Sequence, residues 1–311
     1  MVGRAVVTGA FSYSGGVIAR RLLDRGCDVV SLSRRAAPAG HPLAGAVSVE
    51  QLQFGDVEAL VRSLAGADVL FNTYWIRFAR RGSTFDGAVD NSRILFEAAK
   101  RAGVGRIVHL SVTNASVSSP FPYFRGKAAV ECVLAQTTAE HAVIRPSLVF
   151  GGREEILINN MAWLLRRLPV YAVPGDGAYR VQPVAVGDVA DLAVAASVRT
   201  GSSVEDAVGP ETYTFDEFLA LLRSAVASRA RLVHLPSSVV AGLGRTVGLL
   251  LRDVMITRDE LGALTAGLLT SGDPPTGRES FADWLPSQSD WLGGRYANEL
   301  QRNWLDAPRS A

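Results

Sequence analysis

Cysteine is nearly absent from this sequence, and so is lysine. Cys27 and Cys132 stand alone, which excludes a disulfide framework and a thiolate metal site. The four histidines, His41, His109, His141 and His234, are scattered without ligand spacing, so no metal is expected. Only Lys100 and Lys127 are lysines among 32 basic residues; the rest are arginine. A formal net charge of +2 gives no bulk attraction to nucleic acid or to an anionic membrane. There is no low-complexity tract and no run of about twenty uncharged apolar residues of the kind a membrane span requires. The apolar stretch from Ser237 to Ile256 is interrupted by Gly242, Gly244, Arg245 and Arg252. It reads as a helix packed on the main domain, with an apolar pocket, a partner or a bilayer surface as its other possible neighbours. No secretory signal is legible, since the first residues lead straight into a strand, and a cytoplasmic protein is expected.

What is present is concentrated near the start. Ala5, Val6 and Val7 form the short apolar run of a buried parallel strand. Gly9 breaks the run, and Val17, Ile18, Leu22 and Leu23 then recur at helical spacing. The turn between them is Gly9-x-x-Ser12-x-x-Gly15, followed by Gly16. Strand, glycine turn and helix together aim free backbone N–H groups and a helix dipole at one point, which suits a pyrophosphate. A serine stands where the dinucleotide fingerprint has its middle glycine.

The next strand, Asp28 to Ser33, ends in Arg34 and Arg35 with no carboxylate. An acidic residue there takes ribose hydroxyls, whereas arginine accommodates a 2′-phosphate. NADP(H) is therefore expected over NAD(H). Asp56 reads both as an adenine ligand and as the N-cap of the helix from Val57 to Leu64. The fourth apolar run, Ala67 to Phe71, leads into Asn72-Thr73-Tyr74-Trp75 at the ligand end of a strand. The aromatic pair reads as a nicotinamide wall or as core. Strands at Val47 to Phe54, Arg106 to Val112 and Ala142 to Ile144 complete an alternating α/β pattern. The pattern predicts a doubly wound parallel sheet, with residues 1–150 as a dinucleotide-binding Rossmann domain. Residues 151–311 follow as a smaller, mostly helical substrate region interleaved with it, in which Asp206 to Pro210 reads as a loop.

Tyr123 and Lys127 stand four apart on a predicted helix, hence on one face. Ser111 and Thr113 stand two apart along the preceding strand and share a face of it. A strand hydroxyl, a phenol and an ammonium form a proton-transfer device. The ammonium lowers the phenol pKa, the phenol exchanges a proton with a substrate oxygen, and the hydroxyl polarises the carbonyl.

With these motifs the chain resembles the extended and atypical branch of the short-chain dehydrogenase/reductase superfamily. The carriers are Thr8-Gly9-Ala10-Phe11-Ser12-Tyr13-Ser14-Gly15, Asn72, Ser111 to Asn114, Tyr123-x-x-x-Lys127 and Arg145-Pro146-Ser147. Within that branch it is similar to members related to the nucleotide-binding accessory subunit of respiratory complex I. The resemblance implies Tyr123 as catalytic acid or base, Lys127 as its partner and ribose ligand, and Ser111 or Thr113 as the polarising hydroxyl. Gly9, Phe11, Ser12, Tyr13, Gly15, Arg34, Arg35, Asp56, Asn72, Tyr74, Lys127 and Pro146 are the expected cofactor-binding residues. In the fourth helix, where many members carry an asparagine, the register places Ala88, with Asn91 three residues away.

The leading expectation is an NADP(H)-dependent oxidoreductase moving hydride between the cofactor and a carbonyl or alcohol. The alternatives are a non-catalytic NADP(H)-binding sensor or accessory protein and a nucleotide-sugar epimerase or dehydratase. Trp163, Leu164, Leu165 and Tyr171 favour an apolar small-molecule substrate; Arg153, Arg166 and Arg180 keep a nucleotide-sugar in view. Relatives pair through their fourth and fifth helices, which makes a homodimer conceivable although no sequence feature requires one.

Overall fold

A computed structural model describes residues 2–137 and 139–305, the last by its backbone alone. The chain opens with β1 (Arg4–Thr8), α1 (Tyr13–Leu23), β2 (Asp28–Ser33), β3 (Ser48–Gln51), α2 (Val57–Leu64), β4 (Val69–Asn72) and α3 (Phe85–Arg101). It continues through β5 (Arg106–Leu110), α4 (Pro122–Ala135), β6 (Glu140–Pro146), β7 (Leu148–Phe150), α5 (Leu157–Arg167) and β8 (Val170–Pro174). Next come β9 (Arg180–Val181), β10 (Pro183–Ala185), α6 (Val186–Ala196), β11 (Ser203–Ala207), β12 (Tyr213–Thr214) and α7 (Phe215–Ala225). β13 (Arg231–Leu235), α8 (Ser237–Leu251), α9 (Arg258–Thr265) and α10 (Phe281–Trp284) end the sequence of regular elements.

Two compact units emerge. One comprises residues 2–146 with Val186–Ala207; the other comprises Ser147–Ala185 with the chain from Val208 onward. The first is an α/β Rossmann-type fold. Its seven strands lie in the order β11-β6-β5-β4-β1-β2-β3, and every pairing is parallel. Strands β1, β4 and β5 are buried along almost their whole length, as apolar runs without alternation require of a sheet covered on both faces. Leu60, Leu64, Leu95, Phe96, Val130 and Leu134 from α2, α3 and α4 pack on Val6, Leu32, Leu70, Ile107 and Val143 of the sheet. Helices α1 and α6 pack against each other, joined by the ion pair of Arg21 with Asp191 at 2.7 Å. The chain winds outward from β1 to β3 and then returns to β4 on the other side of β1. The switch point between β1 and β4 is where such sheets take their ligands.

The sheet has one strand more than the sequence pattern suggests. Ser203–Ala207, part of it read as a loop, pairs in parallel with β6 as the seventh strand. Its polar SVEDA sequence hides it, because an edge strand has one ladder to satisfy and need not be apolar. β3 is also shorter than expected, four residues against eight.

The second unit is more helical. Phe150, Phe215, Phe218, Phe281 and Trp284 form its aromatic centre, with Phe218 and Phe281 stacked at 4.7 Å. α5 carries Asn159 and Asn160, whose buried amides hold the segment 293–297. Asn160 Nδ2 donates to the Ala297 carbonyl at 2.8 Å and its Oδ1 accepts from Ala297 N at 2.9 Å. Gly293 N donates to Asn159 Oδ1 at 3.0 Å. No helix among the described residues is long and apolar enough to cross a membrane.

Candidate functional site

The glycine turn lies at the carboxyl end of β1. Gly9 has φ +73°, a left-handed conformation that favours glycine, and its N–H donates to the Leu32 carbonyl at 3.0 Å. A Cβ on Gly15 would lie 2.2 Å from the Gly9 carbonyl oxygen, so only glycine lets α1 approach the turn this closely. Ser12 is the exposed N-cap of α1 but makes no side-chain capping bond, and the first turn carries no acidic residue. The amides opening α1 thus meet no side-chain cap and no competing carboxylate, an arrangement fitted to an anionic diphosphate. Phe11 and Tyr13 flank Ser12, and Phe11 packs edge-on against His41 at 5.1 Å.

Beyond β2, Arg34 is exposed and Arg35 half-buried. Asp56 caps α2, accepting from Ala59 N at 2.9 Å. Asn72 is fully buried and knits three strands together. Its Oδ1 accepts from Thr8 Oγ1 at 3.3 Å, and its Nδ2 donates to His109 Nδ1 at 3.1 Å. The aromatic pair after β4 divides. Tyr74 stacks near Phe54 at 4.9 Å and accepts from Asn91 Nδ2 at 2.9 Å. Ala88 is buried, so Asn91 instead supplies an amide from α3, and it supplies it to Tyr74. Pro146 ends β6, with its carbonyl accepting from Thr113 N at 3.0 Å.

Trp75 turns the other way, onto α4. Its ring stands edge-on to Tyr123 at 6.1 Å, and Lys127 Nζ lies 4.8 Å from its centre. The residue between them on that face, Gly126, would place a Cβ 2.9 Å from Trp75 Cη2. One indole therefore covers the Tyr–Gly–Lys surface of α4. Lys127 is buried and donates to the Leu110 carbonyl at 2.6 Å. Burial pushes its pKa down to about 7, against a smaller opposing pull from Glu131. His109 lies in the same buried region. Burial first, and then the Lys127 charge, hold its imidazole well below the ordinary range. His109 Nε2 and Trp75 Nε1 are both buried without a hydrogen-bond partner.

Ser111 and Thr113 continue β5 beyond its last regular residue, with Ser111 N donating to the Ile144 carbonyl at 2.7 Å. The two hydroxyls have different surroundings. Ser111 Oγ donates to Glu131 Oε1, and Glu131 is ion-paired with Arg145, whose Nε donates to it at 3.0 Å. Thr113 is fully buried. Glu131 and His109 were not legible as members of this region. Glu131 stands four residues after Lys127 on α4, and that spacing was the available signal.

Residues 9–156 match a family model described as NAD(P)H-binding. Over 290 residues the chain is 26% identical to the mitochondrial NADH dehydrogenase (ubiquinone) 1 alpha subcomplex subunit 9 of Arabidopsis thaliana, spanning 86% of this chain and 71% of that one. The triphenylmethane reductase of Citrobacter sp., solved with NADP(H), superposes with a TM-score of 0.75 at 17% identity, covering 92% of this chain and 99% of that one. A nucleoside-diphosphate-sugar epimerase from Staphylococcus aureus superposes with a TM-score of 0.70 at 17% identity over 91% and 99% of the two chains. These likenesses agree with the α/β Rossmann-like fold of the first unit. The chain is thus similar to the mitochondrial subunit over most of its length and shares its fold with the two solved enzymes.

Proposed function

We propose that the protein is an NADP(H)-dependent oxidoreductase that reduces a carbonyl, or oxidises the corresponding alcohol, on an uncharged small molecule. The observation carrying this reading is that Tyr123 and Lys127 lie one helical turn apart on α4 against the same indole. Lys127 is also tied to the end of β5, where the strand hydroxyls lie.

When bound, the reduced nicotinamide supplies a hydride to the carbonyl carbon. Tyr123 delivers its phenolic proton to the carbonyl oxygen, and Lys127 as ammonium stabilises the phenolate left behind. A strand hydroxyl, that of Ser111 or Thr113, polarises the carbonyl, and the Ser111 hydroxyl also donates to Glu131. The turn at Gly9 to Gly15 and the amides of α1 bind the diphosphate. Arg34 and Arg35, with no carboxylate at the end of β2, favour a 2′-phosphate and hence NADP(H) over NAD(H).

Two commitments in the second unit weigh against a nucleotide-sugar substrate. Arg166 Nε donates to the Leu292 carbonyl at 2.8 Å, and Arg153 lies over the Trp291 ring at 5.8 Å. The Arg166 guanidinium is thereby held by backbone carbonyls, and Arg153 is drawn onto an aromatic ring. A second reading, cofactor binding without turnover, draws on the engagement of Lys127 with both Leu110 and Trp75.

Titration of wild type and Tyr123→Phe with NADPH and NADH, followed by a panel of apolar carbonyls, separates the readings. Tighter binding of NADPH, with turnover that Tyr123→Phe lacks although it still binds, supports the oxidoreductase. Equal binding by both proteins with no turnover of any carbonyl supports the binding protein. Failure of wild type to bind either cofactor overturns both.

A further inference from the structure

Helix α8 reverses the usual arrangement of a surface helix. Such a helix turns large apolar residues inward and polar residues outward. On α8 only Gly248 is buried. A Cβ on Gly248 would lie 2.7 Å from the Asp253 carbonyl oxygen, and one on Gly244 would lie 3.1 Å from Ile256 Cγ2. The segment 253–256 lies directly against these glycines, beside the half-buried Val240, Val247 and Leu251. The outer face carries Val239, Leu243, Leu249 and Leu250, which are 45%, 47%, 74% and 81% exposed. These recur at i, i+4, i+10 and i+11, with Gly242 and Thr246 between them, and so form one continuous stripe. These side chains lie exposed rather than packed.

The helix is held by polar contacts at its carboxyl end. Asp253 accepts from Tyr296 Oη at 2.6 Å, from Glu299 N at 2.9 Å and from Leu300 N at 3.0 Å. Asn298 Nδ2 donates to the Leu251 carbonyl at 3.1 Å. An anchored helix presenting four large apolar side chains to water is an uncovered surface, not a scatter of single exposed residues.

Charge identifies what covers it. Residues 218–252 contain Arg223, Arg229, Arg231, Arg245 and Arg252 and no aspartate or glutamate, in a chain whose net charge is only +2. Arg245 and Arg252 are both exposed and sit seven apart along one flank of the stripe. The neighbouring β8 and β13, which pair in parallel, expose Val170 and Val233. Two copies meeting through α8 would bring like charges together. An apolar stripe about 17 Å long with arginine along its flank has the form of a helix that lies in the headgroup region of a bilayer.

We propose that α8 docks the protein on an anionic lipid surface, with Val239, Leu243, Leu249 and Leu250 entering the acyl boundary and Arg245 and Arg252 meeting lipid phosphates. The docking leaves no segment spanning the bilayer and is independent of the hydride-transfer reading.

The test is flotation of the full chain with vesicles of phosphatidylcholine alone or mixed with phosphatidylglycerol, at low and high salt. Wild type should float with the mixed vesicles, and partitioning should fall at high salt and on neutral vesicles. The double variant Leu249→Asp/Leu250→Asp changes only strongly exposed side chains. It should keep the wild-type melting temperature and NADPH affinity and lose partitioning by at least about tenfold. Arg245→Gln/Arg252→Gln should lose about tenfold on mixed vesicles and little on neutral ones. The proposal is overturned if wild type fails to float with mixed vesicles, or if the leucine variant floats as well as wild type. It is equally overturned if sedimentation shows a wild-type dimer that the leucine variant dissolves while neither protein floats, which would assign the stripe to a second copy.

Discussion

Lys127 and Trp75 are in cation–π contact, with the ammonium 4.8 Å from the centre of the indole. The contact joins the end of β4 to the face of α4 that carries Tyr123, and it requires glycine at position 126. It also helps to remove the Lys127 ammonium from water, with consequences for stability and pH.

The buried Lys127 has a pKa near 7 against an ordinary 10.5. Between those values the unfolded chain holds a proton that the folded chain has released, so stability rises with pH across that window. Below about pH 7 both states are protonated, and the full penalty of the buried charge is present. The unfolding free energy of wild type relative to Lys127→Met should therefore climb between about pH 7 and 10.5, by at most about 1.4 kcal/mol per pH unit. Parallel urea-unfolding curves for the two proteins across that range would contradict the assignment.

Gly126→Ala should displace the indole. The added methyl meets Trp75 ring carbons at 2.9 and 3.0 Å, so either the ring or α4 must move. A loss of about 1–3 kcal/mol is expected from such overpacking. Altered tryptophan fluorescence and a raised Lys127 pKa should accompany it, the latter visible as a later rise in the stability curve.

At the glycine turn the two small residues should behave differently. Gly15→Ala drives a methyl against the Gly9 carbonyl and should abolish NADPH binding, with a loss of several degrees in Tm. Ser12→Gly touches an exposed side chain that caps nothing, and it should leave Tm within about a degree while NADPH binding persists. Calorimetry and fluorescence titration on the two variants check both outcomes.

Ser111 and Thr113 should separate kinetically. Ser111→Ala removes a donor from the Glu131–Arg145 pair and should lower stability by about 1–2 kcal/mol, with kcat reduced less than fivefold. Thr113→Val keeps the shape of the side chain and should lower kcat by roughly 10²-fold or more with little change in NADPH affinity. The reverse pattern would assign the polarising role to Ser111.

Much of the fold was legible because its signals are local. The apolar run at Ala5 to Val7, the glycine turn and the 3.6-residue period of α1 each lie within a few neighbouring residues, and α2 spans Val57–Leu64 behind its Asp56 cap as read from the sequence. The spacing of Tyr123 and Lys127 fixed their common face in the same way. What was hidden depends on partners far along the chain. Strand β11 is polar and is a strand only because β6 offers it a ladder. Asn72 reads as a crevice residue until Thr8 and His109 close around it. Arg166 reads as a phosphate ligand until the Leu292 carbonyl takes it.

The sequence by itself determined the doubly wound α/β pattern, the glycine turn after β1 and the Tyr–Lys face, since these follow from backbone conformation and helical period over short spans. Only the tertiary structure decided that Trp75 covers that face, that Ser111 rather than Thr113 serves Glu131, and that α8 turns its leucines outward. Those outcomes depend on which surfaces meet and on which donors and acceptors are left in the interior. Excluded volume and hydrogen-bond satisfaction settle such questions between residues far apart in the chain, where no local period can record them.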